Sequence, residues 1–86
     1  RKGVGTMNRD EISSIVKMSI VEETGYGGEI SDDHIASDID GWDSIAHIRI
    51  MYRIDLSIGE EIDLRETYSA RNIGELIDIF YKNQKE

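Results

Sequence analysis

Asp40-Gly41-Trp42-Asp43-Ser44-Ile45-Ala46-His47-Ile48 is the stretch that decides how this chain is read. Gly41 allows a tight turn, because it has no Cβ to forbid positive φ. Asp43 is a natural helix cap, which puts Ser44 in the first turn of a helix starting at Asp43 or Ser44. That helix, helix II, runs to about Ile58 and is ended by Gly59. Ile45, Ile48, Met51, Ile54 and Ile58 recur at helical spacing, and Ile50, Tyr52 and Leu56 widen the apolar face. Only Ala46, Arg49, Arg53 and Ser57 form an uninterrupted polar stripe. A helix this apolar is expected at the centre of a bundle. Unpaired amides and the helix dipole make its start a favourable seat for a phosphate. The Ser44 hydroxyl is expected to project there, within reach of an enzyme.

On the N-terminal side, Ile12, Ile15, Val16 and Ile20 mark a helix I from Asn8 to Thr24. Asn8 and Glu11 form a capping box, and Gly25 suits the left-handed residue after the last turn. The segment from Tyr26 to Trp42 is long and acidic, with Glu29, Asp32, Asp33, Asp38 and Asp40 and no lysine or arginine within it. Ile30, Ile35 and Ile39 read as anchors pinning this loop across a core. Beyond Gly59, Asp63 and Glu66 open a short helix III over 64–70. Asn72 and Glu75 open helix IV, carrying Ile73, Leu76, Ile77 and Phe80. Ile48 and Phe80 are expected in the core, and Trp42 is expected to hold the loop against helix II.

Taken together these elements predict an all-α fold: four helices, a long loop between the first two, and a short third helix. The 86 residues allow one domain with a modest core. Residues 1–6 precede Met7 without pattern and read as a cloning remnant or disordered tail, leaving 7–86 as the domain. Eighteen acidic against ten basic residues, a net charge of −8, argue against nucleic acid and anionic membranes. No apolar run reaches the length of a membrane span. The chain has no cysteine, so any thioester chemistry needs a thiol from a prosthetic group. A monomer in the cytoplasm is the default expectation.

Asp43-Ser44-Ile45 resembles the Asp-Ser-Leu attachment motif of acyl and peptidyl carrier proteins. The preceding Gly41-Trp42 is frequent among their stand-alone members, and Arg71-Asn72-Ile73-Gly74-Glu75-Leu76-Ile77 is similar to the family's entry into helix IV. The likeness spans nearly the whole chain from Met7. It implies a four-helix bundle of acyl-carrier-protein type, itself no enzyme, with 4'-phosphopantetheine from coenzyme A joined to Ser44. A phosphopantetheinyl transferase would attach the arm, and Asp43 would help that enzyme and its magnesium recognise the site. Acyl or aminoacyl cargo would ride on the arm's thiol, supplied by a loading ligase and consumed by synthases or transferases. Fatty-acid, polyketide and nonribosomal peptide intermediates all fit the motif. Ile45, His47, Arg49 and Arg53 are expected to face partners, and His47 is within reach of the arm's phosphate. Two departures stand out. Isoleucine replaces leucine after the serine, and helix II carries Arg49 and Arg53 where many fatty-acid carriers are acidic. That charge pattern favours a dedicated carrier in a specialised pathway, whose partners read a mixed-charge surface.

Three other readings compete. Asp38-Ile39-Asp40-Gly41 is similar to the middle of a calcium-binding helix–loop–helix motif. With Gly41 at position six, however, Ala36 and His47 stand where carboxylates are required. A serine hydrolase using Ser44 with His34 or His47 lacks the nucleophile-elbow glycines. A small helical protein-interaction module without prosthetic group would share every helix and differ only at the site.

Overall fold

The computed structural model describes residues 7–84, so the tail assigned to residues 1–6 lies outside the described residues. Four α-helices follow in order: α1 Arg9–Thr24, α2 Ser44–Ile58, α3 Leu64–Thr67 and α4 Ile73–Lys82. A single 3-10 turn, Ala36–Asp38, interrupts the long loop. No strand occurs among the described residues.

Local chemistry accounts for most helix ends. The Asn8 side chain accepts from the Glu11 amide while Glu11 accepts from the Asn8 amide, each at 2.9 Å, closing the expected capping box. Asp43 caps α2 by accepting from the Ala46 amide at 2.8 Å. Asn72 caps α4 by accepting from the Glu75 amide. Glu75, however, accepts from the Arg71 amide rather than returning to Asn72. The Asp63–Glu66 box does not form either: Asp63 accepts from the Arg65 amide and also binds the Arg65 guanidinium. α3 stops at Thr67 instead of Ala70. The amides of Tyr68, Ser69 and Ala70 bond three residues back, so the chain tightens into successive turns there.

α1 supplies Ile12, Val16 and Ile20 to the core, α2 supplies Ala46, Ile50, Met51, Ile54 and Ile58, and α4 supplies Ile73, Leu76, Ile77 and Phe80. Phe80 is buried as expected. Ile48 is not: it is 51% exposed, and Ile45, Tyr52 and Leu56 share its solvent-facing stripe. Ala46, read as part of the polar stripe, is buried instead. The physical reason is that α2 has two apolar faces. The face built on Ala46, Ile50, Ile54 and Ile58 meets the neighbouring helices, with the small Ala46 at its N-terminal end. The other face is left uncovered.

The loop is held to the helices by backbone as much as by side chains. The amides of Ile73 and Gly74, at the start of α4, donate to the carbonyls of His34 and Asp32 at 2.9 and 2.8 Å. A Cβ on Gly74 would stand 3.0 Å from the Asp32 Cβ, so the close approach leaves little room for a side chain there. Ile39 is buried and Ile30 packs partly against the core, but Ile35 is exposed and is no anchor. The loop's missing cations come from α1: Asp32 pairs with Lys17 at 2.9 Å and Arg9 at 3.3 Å. The Lys17 hydrogen bond is the main reason its carboxyl lies below the usual range, burial acting the other way.

Candidate functional site

Ser44 is the first residue of α2 and is exposed. Three contacts fix the segment leading to it. Gly41 has φ +93°, and a Cβ there would come within 3.0 Å of the Thr24 carbonyl oxygen at the end of α1. Trp42, half-buried, packs against the core and donates from its indole Nε1 to His47 Nδ1 at 3.2 Å. Asp43 is occupied with capping. The amides of Ala46 and His47 are therefore satisfied, by the Asp43 side chain and carbonyl respectively. Among the described residues no protein acceptor meets the amides of Ser44 and Ile45. The start of α4 differs, because loop carbonyls take its first two amides.

Beside Ser44 lies an open cavity of about 350 Å³. Asp43, Ser44 and Arg71 border it, and Trp42, His47, Thr67, Tyr68, Ile73 and Leu76 form much of its wall. The imidazole of His47 is the centre of that wall. It stacks on Tyr68 with ring centroids 4.3 Å apart and lies near Trp42 at 6.0 Å. Its Nε2 is 2.9 Å from Thr67 Oγ1, whose own proton goes to the Leu64 carbonyl. Burial pushes the pKa of His47 down from its ordinary value. His47 is thus half-buried and built into the wall of the cavity.

The other expected partner-facing residues separate. Ile45 is 63% exposed, next to the serine, and starts the stripe continued by Ile48, Tyr52 and Leu56. Arg49 is exposed on the same helix and forms no ion pair among the described residues. Arg53 is already taken, binding Glu22 at 2.8 Å and Glu23 at 2.7 Å across to α1. Thr67 and Tyr68 border the cavity yet were not singled out from the sequence, and Arg71 entered only as the first residue of the stretch leading into helix IV. They lie over twenty residues from Ser44, in a segment whose signals concern helix starts and not a cavity wall.

Neither histidine is hydrogen-bonded to Ser44. Both ring nitrogens of His47 are engaged elsewhere, and His34 Nδ1 accepts from the Ser31 amide. Among the described residues no three acidic or histidine side chains gather as a metal site. Among the described residues no helix is long and apolar enough to cross a membrane. Comparisons with protein-family models, with curated proteins and with solved structures each returned no match.

Proposed function

We propose that the chain is an acyl carrier protein whose 4'-phosphopantetheine arm is joined to the Ser44 oxygen. The observation that carries this reading is the exposed hydroxyl at the first position of α2, beside two amides with no protein acceptor. Such a helix end favours a phosphate through its dipole and its free donors, so the residues present fit the group. When bound, the arm supplies the thiol on which acyl or aminoacyl cargo is carried as a thioester.

The chain's own residues present the hydroxyl and hold it still. Asp43 keeps the first turn formed, Gly41 and Trp42 fix the approach to it, and the Ser44 amide is left to meet a phosphate oxygen. The Ser44 oxygen would attack the pyrophosphate of coenzyme A, the phosphopantetheine passing to Ser44 and adenosine 3',5'-bisphosphate leaving. The hydroxyl proton would go to a base of the phosphopantetheinyl transferase, since both histidines are hydrogen-bonded elsewhere. Loading and downstream enzymes would dock on the exposed stripe from Ile45 to Leu56, with Arg49 as its unpaired charge. The four helices in this order would then be the acyl-carrier-type bundle. A plain helical interaction module is the second reading, and the same stripe supports it.

Incubating the protein with coenzyme A, magnesium and a promiscuous transferase separates them. Intact mass is expected to rise by one phosphopantetheine, and Ser44→Ala is expected to show none. An unchanged wild-type mass, or an undiminished gain in the variant, would overturn the proposal.

A further inference from the structure

We infer that His47, as the neutral ring, is the positioning residue of the Ser44 site: it latches Trp42 to α3 and so fixes the segment that delivers the serine. The inference rests on the reading of Ser44 as the attachment point, but the latch itself is read from hydrogen bonds alone. Indole N–H can only donate, so His47 Nδ1 must accept. The single proton of Thr67 Oγ1 goes to the Leu64 carbonyl at 2.6 Å. Thr67 Oγ1 must therefore accept from His47 Nε2, at 2.9 Å. The two ends together leave one protonation state, the neutral Nε2–H tautomer. The chain of donors runs from Trp42 through His47 and Thr67 to the Leu64 carbonyl. It joins the residue two before Ser44 to α2 and then to the start of α3.

Stacking holds the same arrangement from the side. The Tyr68 ring closes against His47 at 4.3 Å with planes 23° apart, and Thr67 is buried beneath. A second proton on the imidazole would sit on Nδ1 and point at the indole N–H, donor against donor. The Trp42 bond then breaks, while the Thr67 bond survives. Trp42 loses its fixed place on the cavity wall, and the backbone at Asp43 and Ser44 loses one of the three contacts that hold it. The charged and titratable groups bordering this cavity are Asp43 from the start of α2, Tyr68 from the end of α3, and Arg71 from the connection to α4. Asp43 and Arg71 carry opposite charges, and Arg71 is bound to Glu75. Burial of the imidazole lowers its basicity, disfavouring the charged ring.

Trp42 is the only tryptophan, so its emission reports the latch without any reference to modification. In the wild type the emission is expected to shift to the red, and acrylamide quenching to rise, as pH falls through a midpoint below 6.5, the ordinary histidine value. Far-ultraviolet dichroism should stay constant over that range. His47→Gln keeps an acceptor and a donor with no titrating ring, so the transition should vanish. His47→Phe keeps the stack without the bonds, and Trp42 should be accessible at every pH. The ratio of wild-type to His47→Gln rates of arm attachment, which cancels the transferase's own pH dependence, should fall across the same midpoint. A Trp42 transition that persists in His47→Gln, or a rate ratio flat with pH, overturns the positioning role while leaving Ser44 as the attachment point. Absence of attachment at every pH overturns the attachment reading and the positioning role together.

Discussion

Ile50→Ala and Ile48→Ala test which face of α2 meets the core. Both substitutions remove the same three carbons from the same helix, and both gain the same few tenths of a kcal/mol in helix propensity. The difference between them therefore isolates burial. Ile50 is 0% exposed and surrounded by the core cluster. At about 0.8 kcal/mol per carbon the lost transfer energy is about 2.4 kcal/mol. The unfilled cavity raises the cost to about 3–4 kcal/mol. Ile48 has about half of its surface in water already, so its truncation should cost about 1 kcal/mol at most. A domain of this size has a total stability of about 5–10 kcal/mol, so the first loss is a large fraction of it. Urea unfolding followed by dichroism and by Trp42 emission measures both, provided the slope with denaturant is unchanged. Equal losses, or a larger loss at Ile48, would mean that the helix is turned the other way and that the exposed stripe is a misreading.

Asp55→Asn is expected to stabilise the fold at pH 7 by about 1 kcal/mol. Asp55 Oδ1 is buried without a hydrogen-bond partner, and burial raises its pKa despite the Ile62 amide, with Glu61 adding to the rise. A raised folded pKa means that the stabilising proton is bound below the unfolded value of 3.8 and lost as pH rises through the folded one. The gain from Asp55→Asn should therefore vanish near pH 3, and urea midpoints at the two pH values decide it. Arg49→Glu and Arg53→Glu should separate docking from folding. Arg53→Glu sets a third carboxylate beside Glu22 and Glu23, and should lower the urea midpoint, less so in high salt. Arg49→Glu should leave the midpoint in place and change kcat/KM with partner enzymes; unchanged kinetics would remove Arg49 from the docking surface.

Helix starts at Asn8, Asp43 and Asn72 were legible, because each side chain meets the backbone three residues on, but the reciprocal halves expected at Glu66 and Glu75 do not form. Asn8, Asp43 and Asn72 all cap as their spacing suggests, and Gly25 and Gly59 both carry the positive φ that ends α1 and α2. Burial was less legible. α2 offers two apolar faces to a helical wheel, and only the positions of α1 and α4 choose between them, which is why Ile48 read as core. Arg53 looked like a surface charge for the same reason, since Glu22 and Glu23 lie thirty residues away on another helix. His47 was the hardest to place. Its environment is made by Trp42 on one side and by Thr67 and Tyr68 on the other. No periodicity brings α3 against that ring.

The same geometry explains why an exposed residue can belong to a rigid site. Gly41 abuts the end of α1, Trp42 is tied through His47 to α3, and Asp43 holds the first turn of α2. Ser44 is open to solvent, yet its backbone is fixed from three directions. The uncovered apolar stripe begins at the very next residue and ends eleven residues later at Leu56. At 1.5 Å per residue its far end lies about 18 Å along the helix from Ser44. A protein that grips this stripe is therefore set at a defined distance and angle from Ser44 before it touches anything attached there. The carrier role proposed above would use that arrangement, presenting Ser44 and the stripe to each partner enzyme in the same geometry.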